Sequence, residues 1–305
     1  MTLDPALLAP RIRAIGEDLA RRSSGLSPGL FDSRWWSQAA INLAMKDPAF
    51  KAQLFRFIDV LPSLRDDAQV VRLAEEYFGD MSGHLFGAQW GLKALAATTF
   101  GATLSGKAIR HQVEQMATSF IAGASIEQAV SALQKLWNDG RAFSVDLLGE
   151  ASVNEREADA YRDRCLAALQ ILGDVCPAWS PSPLLERDHL GPLPRIQLSV
   201  KISALYSQLD PIDAESSYRA VAGRLRPLLN IASTLPASII FDMEQAETKE
   251  LILSIFMRLF EEEPYRSFPH AGIALQAYRI DTQEDVRRLL AWTKARQVPI
   301  TIRLV

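Results

Sequence analysis

Five apolar segments of this chain each carry one polar residue toward the carboxyl end, and helix-like sequence separates each segment from the next. They are FSVDLLGEA (143–151), QLSVKISAL (197–205), SIIFDMEQ (238–245), AGIALQAY (271–278) and VPITIRLV (298–305), with Asp146, Lys201, Asp242, Gln276 and Arg303 embedded in them. Side chains alternate faces along a strand, and a parallel strand covered by helices turns its aliphatic residues outward. Leu198, Val200 and Ile202 then oppose Ser199, Lys201 and Ser203; Ile239, Phe241 and Met243 oppose Ser238, Asp242 and Glu244. In the same way Ile273 and Leu275 oppose Ala274 and Gln276, and Val298, Ile300, Ile302 and Leu304 oppose Thr301, Arg303 and Val305. One face is oily and the other small or charged. This pattern predicts an α/β fold of the (β/α)8 TIM-barrel type, whose site gathers at the carboxyl ends of the strands.

The 305 residues, 48% hydrophobic and 23% charged, suit a globular chain large enough for one big domain or two smaller ones. A net charge of −3 supplies no basic field, so nucleic acid is not an expected partner. No run approaches the roughly 20 apolar residues of a membrane span, and the N-terminus lacks a signal peptide's apolar core. The expected location is the cytoplasm, with peripheral contact at the inner membrane face left open. Cys165 and Cys176 have no metal-ligand spacing, and His84, His111, His189 and His270 are scattered, so no metal is expected.

Residues 1–138 read as helix throughout and 139–305 as alternating strands and helices, a helical arm and α-domain followed by a partial barrel. Helices are expected at 155–172, 213–230, 246–262 and 281–296. Another opens at Ser125 with Gln128 three residues on, the spacing of a capping box, and closes at Gly140. The stretch 177–195 holds five prolines, and a connection that long is expected to be functional or mobile. A closed barrel needs eight strands, and only five are legible. The expectation is a chain ending in the fifth strand, with on the order of 100 barrel residues absent.

The stretches FSVDLLGEA, SVKISAL, FDMEQ, LQAY and IRLV, in that order, resemble the proline dehydrogenase family, in particular the proline-oxidising half of the bifunctional bacterial proline catabolic flavoenzymes. The resemblance covers 120–305 well and the first hundred residues more loosely. It implies an FAD-dependent (β/α)8 barrel that oxidises L-proline to Δ1-pyrroline-5-carboxylate and passes electrons to membrane quinone. Carried over by position, it puts Lys201 against the proline carboxylate and Asp242 beside the same pocket. Gln276 would hydrogen-bond the flavin, Arg303 would lie by its reactive nitrogen, and Val305 would add a backbone contact. Glu150 matches a carboxylate that pairs with a late arginine to close the site; Asp146 receives no sharper role. The family's later flavin contacts and carboxylate-clamping arginines have no counterpart here, nor does the aldehyde dehydrogenase half of the bifunctional relatives. The chain by itself is therefore expected to be inactive. No DNA-binding segment is recognisable.

Read without the resemblance, Lys201 and Asp242 could form a plain buried ion pair, Gln276 could be a satisfied polar residue, Arg303 a solvated terminus, and Glu150 a cap for the helix at 155. Two other functions stay open: a Schiff-base aldolase using Lys201, and a non-catalytic scaffold completed by another chain. Gly101 to Ala108 imitates a phosphate-cradling loop, but Ala108 stands where a hydroxyl is needed and the preceding sequence is helical. Trp35 and Trp36 are expected to anchor the helical region.

Overall fold

Helix α1 (Pro5–Ser24), α2 (Pro48–Val60) and α3 (Asp67–Phe78) make up most of the described part of a first unit, 1–120, in a computed structural model. The described residues of the whole chain are 5–24, 48–78, 106–107, 109–111, 121–149 and 151–305. Trp35, Trp36, His84, Gly101, Ala108 and Glu150 lie outside them. Between α2 and α3, Pro62 sits in a 3-10 turn, Leu61–Ser63, because proline tolerates the first turn of a helix and not its interior. Phe57, Leu61 and Val70 form the core of this unit. Arg110 secures the turn by donating to the carbonyls of Leu64 at 2.8 Å and Leu61 at 3.4 Å.

The second unit, 121–305, begins with α4 (Ile126–Asn138), which packs Ala129, Leu133 and Trp137 into the core shared with the strands. The expected capping box does not form. Ser125 is the N-cap but makes no cap bond; its hydroxyl goes to the Glu127 carboxylate, holding that group below its usual range, and Gln128 reaches back to the amide of Ala124 at 3.1 Å. The far end closes as read: Gly140 has φ 74°, and the amides of Gly140 and Arg141 bond Trp137 O and Leu136 O at 3.0 and 2.9 Å. Only glycine adopts that left-handed turn without strain.

Strands and helices then alternate: β1 (Val145–Asp146), α5 (Glu155–Val175), β2 (Ile196–Val200), α6 (Ala214–Thr234), β3 (Ala237–Phe241), α7 (Lys249–Leu259), β4 (Ala271–Leu275), α8 (Thr282–Arg296) and β5 (Thr301–Leu304). All pairings are parallel in the order β1-β2-β3-β4-β5. Among the described residues, helices first and a five-stranded parallel sheet after agree with the sequence reading. The strands are shorter than the apolar segments. Lys201, Asp242 and Gln276 follow their strands, and 203–205 coil into a 3-10 turn after β2. Helices α5 and α6 run three and four residues past their expected ends, and α7 is trimmed at both.

Val145, Leu198, Val200, Ile239, Phe241 and Ile273 form the oily face, packed with Phe256, Phe260, Leu225 and Leu229 of the covering helices. Burial of this kind is worth about 25 cal/mol per Å² of apolar surface, and it sets the register, because a slip of one residue would bury the polar face instead. The connection 177–195 is irregular but tied down. Arg195 lies over the Trp137 ring at 5.1 Å, donates to Cys176 O and Trp179 O at 2.7 and 2.9 Å, and pairs with Glu186 at 2.7 Å. Among the described residues no helix is long and apolar enough to cross a membrane.

Candidate active site

Register decides which inner-face residues meet. Asp146 pairs with Ser199, Ser199 with Ile240, Ile240 with Gly272, and Gly272 with Thr301, so these five share one row. One step toward the carboxyl ends, Ala274 pairs with Arg303, while Lys201 and Asp242 directly follow the paired Val200 and Phe241. Lys201, Asp242, Ala274 and Arg303 therefore form a second row. Ala274 matters by being small, since a larger side chain would stand between Arg303 and Asp242.

Across these rows runs one chain of charges. Lys201 Nζ bonds Asp146 Oδ1 and lies 3.5 Å from Asp242 Oδ2, while Arg303 Nη2 bonds Asp242 Oδ1. Ser199 completes the array: its hydroxyl donates to Asp242 Oδ1 at 3.1 Å and accepts from Arg303 Nη1 at 2.8 Å. On a flat sheet three strand steps span roughly 14 Å, more than one arginine side chain reaches. Contact between β5 and β2 through Arg303 thus requires the sheet to curl toward this face. The five strands therefore describe a concave arc.

Burial disfavours the Lys201 ammonium, but the hydrogen bond and charge of Asp146 and the charge of Asp242 outweigh it and hold the pKa above the ordinary lysine value. Lys201 is a fixed cation, with its backbone N–H held by Tyr161 OH of α5 at 3.0 Å. Burial keeps that Tyr161 hydroxyl well above the usual phenol range and lifts the neighbouring Cys165 thiol to about 12, so both stay neutral. Gln276 turns its amide hydrogens to Glu244 O at 3.1 Å and Met243 O at 3.4 Å. Val305 continues the β4 pairing: its N–H donates to Leu275 O, and its carbonyl accepts from Ala277 N, both at 2.9 Å.

Beside the charged rows, Gly149, Ala151, Ser203, Glu244 and Gln245 line an open depression of about 350 Å³. Ser203 donates its hydroxyl to Glu244 Oε2 at 2.7 Å there. The structure thus brings Lys201, Asp242 and Arg303 into direct contact, adds Asp146, and sets Gln276 and Val305 on the adjoining strand ends. Glu150 is undescribed, and the cap of α5 belongs to Asn154, whose side chain accepts from Glu157 N. Arg303 is no free terminus. Ser199, Tyr161 and Ala274 were missed by the sequence reading; the signal for Ser199 and Ala274 was their inward parity, which the polar neighbours overshadowed.

Comparison with known proteins covers the same strands. Residues 129–305 match the family model described as proline dehydrogenase, and 9–120 match that of the proline utilization A N-terminal domain. Proline dehydrogenase 1 of Bacillus subtilis is 27% identical over 57% of this chain and 48% of its own length. The bifunctional protein PutA of Salmonella typhimurium is 26% identical over 59% of this chain and 13% of its own. A crystal structure of PutA from Bdellovibrio bacteriovorus, inactivated by N-propargylglycine, superposes with a TM-score of 0.81 at 32% identity over 96% of this chain and 28% of that one. The chain thus spans about half of one curated relative and a small part of the other. Matched across the very strands whose ends carry Lys201, Asp242, Gln276 and Arg303, it belongs to the proline dehydrogenase family.

Proposed function

We propose that this chain supplies the flavin- and proline-binding face of a proline dehydrogenase, which oxidises L-proline to Δ1-pyrroline-5-carboxylate with FAD as cofactor and quinone as electron acceptor, in the cytoplasm at the inner membrane face. The observation that carries the reading is the Asp146, Lys201, Asp242, Arg303 chain on a concave sheet face at the strand ends. FAD, when bound, supplies the acceptor for the two electrons leaving the substrate.

The residues present fit such a group. Gln276 uses its amide hydrogens on backbone carbonyls, and among the described residues nothing donates to its Oε1, which is left for a ring N–H. Arg303 holds a positive charge with its side chain 41% exposed, suited to a site where negative charge develops. Lys201 has three ammonium hydrogens, of which Asp146 and Asp242 take two. The third is directed by its neighbours to a substrate carboxylate, as a charge-assisted bond. Asp242 spaces the two cations, and Glu150 would be, by position, the carboxylate that pairs with an arginine to close the site over substrate. Val305, its N–H already used, offers the ring a carbonyl lone pair and its side chain. A Schiff base would need a neutral lysine, and the two carboxylates around Lys201 oppose that.

The test is a visible spectrum of the purified chain after loading with FAD and removing the excess, followed by anaerobic addition of L-proline. A retained, structured flavin band that weakens in Gln276→Ala and Arg303→Ala supports the cofactor assignment. Because the chain by itself is expected to be inactive, the substrate assignment is read from binding: a shift of the flavin band on titration with L-proline that is lost in Lys201→Ala supports it. Equal retention in all variants would overturn the roles given to Gln276 and Arg303.

A further inference from the structure

Lys249 occupies a position that local rules disfavour. It stands in the first turn of α7, where the helix dipole is positive, and it is only 5% exposed. Its ammonium is nevertheless fully satisfied: Nζ donates to Asp281 Oδ2 at 2.8 Å and Asp285 Oδ2 at 2.7 Å, and lies 3.0 Å from Glu250 Oε1. Two of those three carboxylates belong to the start of α8, with Asp285 itself 4% exposed. A buried cation gains little net stability from such pairing, so the arrangement is better explained by what it holds in place.

What it holds is the loop from 276 to 281. Thr282, next to Asp281, donates its hydroxyl to Gln276 O at 2.6 Å, and Arg279 N donates to the same carbonyl at 3.1 Å. Arg279 also grips Asp281 with its side chain, Nε to Oδ1 at 3.0 Å. Gln276 in turn donates to Glu244 O in the loop that leads into α7. The loop after β3 and the loop after β4 are therefore pinned together twice, at the strand end by Gln276 and at the helix end by Lys249. With only the first pin, the second loop could pivot about the Gln276 amide.

We propose that Lys249 is a positioning residue: through Asp281, Asp285 and Thr282 it fixes the orientation in which Gln276 faces the site. The consequence for binding rests on the reading of Gln276 as a flavin contact, whereas the clasp itself does not. The test uses the 305-residue chain with Lys249→Met and Asp285→Asn, the second keeping the lysine paired in case the first does not fold. Hydrogen exchange of the Ala277 and Arg279 amides should quicken about tenfold while the interior amides of β3 and β4 stay protected. The FAD dissociation constant should rise about tenfold, and Lys249→Met should add little in a Gln276→Ala background, since coupled residues are not additive. Unchanged exchange at 277 and 279, exchange quickened evenly over the whole unit, or additive effects on FAD affinity would each overturn the proposal. If the unaltered chain takes no FAD, the cofactor reading of Gln276 falls, and the exchange result alone decides the clasp.

Discussion

Arg303 and Asp242 are joined directly across an intervening strand, the guanidinium passing over Ala274 to reach the carboxylate at the end of β3. The contact ties the last described strand to the centre of the site and makes Asp242 the hub of the array, with Lys201 on its other oxygen and Ser199 beneath.

Asp242→Asn removes the charge that separates Lys201 from Arg303 while keeping the shape. With the Asp242 side chain 10% exposed and its partners more open, a loss of about 1–3 kcal/mol is expected, or roughly 2–4 °C in Tm per kcal/mol for a unit of this size. Urea denaturation reads it. FAD retention should fall by more than stability explains, and a variant that loses stability alone would remove Asp242 from the site.

Lys201 has a folded pKa above its unfolded one, so its pairing stabilises fully below the unfolded value of about 10.4 and is lost as pH rises through the folded value. The unaltered chain should lose stability above about pH 10 more steeply than Lys201→Met. Borohydride with a carbonyl compound near neutral pH should leave Lys201 unlabelled, and efficient trapping there would favour an aldolase.

His270, at the entry to β4 and edge-on to Phe268, has its pKa lowered by burial. The unfolded chain then binds the proton more readily, so stability is lost as pH falls below about 6.5. Chemical denaturation between pH 7 and 5 should show a shallower fall for His270→Gln. Identical slopes would mean that the ring is solvated.

Gly272 faces Ile240 on the inner side of the sheet, where a Cβ would lie 2.2 Å from Ile240 Cδ1 and 3.0 Å from Thr301 O. Gly272→Ala should cost about 1–3 kcal/mol. Pairing it with Ile240→Val should recover part of the loss, because the isoleucine tip can yield and the Thr301 backbone cannot. Additive losses in the urea midpoint would show that the backbone contact dominates.

Much of the site was legible in the chain. The inward parity of Lys201, Asp242, Gln276 and Arg303 followed from alternation, although the first three stand just past their strands, because a two-residue period needs no tertiary information. The capping box at Ser125 failed because Glu127 competes for the same hydroxyl, a choice among near-equal local bonds. Lys249, in KELIL, carries no local sign of its partners. Its three acceptors arrive from its own helix and from residues 32 and 36 positions later.

Among the described residues, the sequence by itself determined the helices of the first region, the five parallel strands and the oily and polar faces, since these rest on hydrophobic periodicity within short windows. Only the tertiary structure decided that the sheet curls far enough for Arg303 on β5 to meet Ser199 on β2, that Ala274 leaves the path open, and that Tyr161 of α5 holds the Lys201 backbone. Those contacts join residues 104 and 40 positions apart. Their formation depends on strand register and sheet curvature, which are set by how whole elements pack and not by any local pattern.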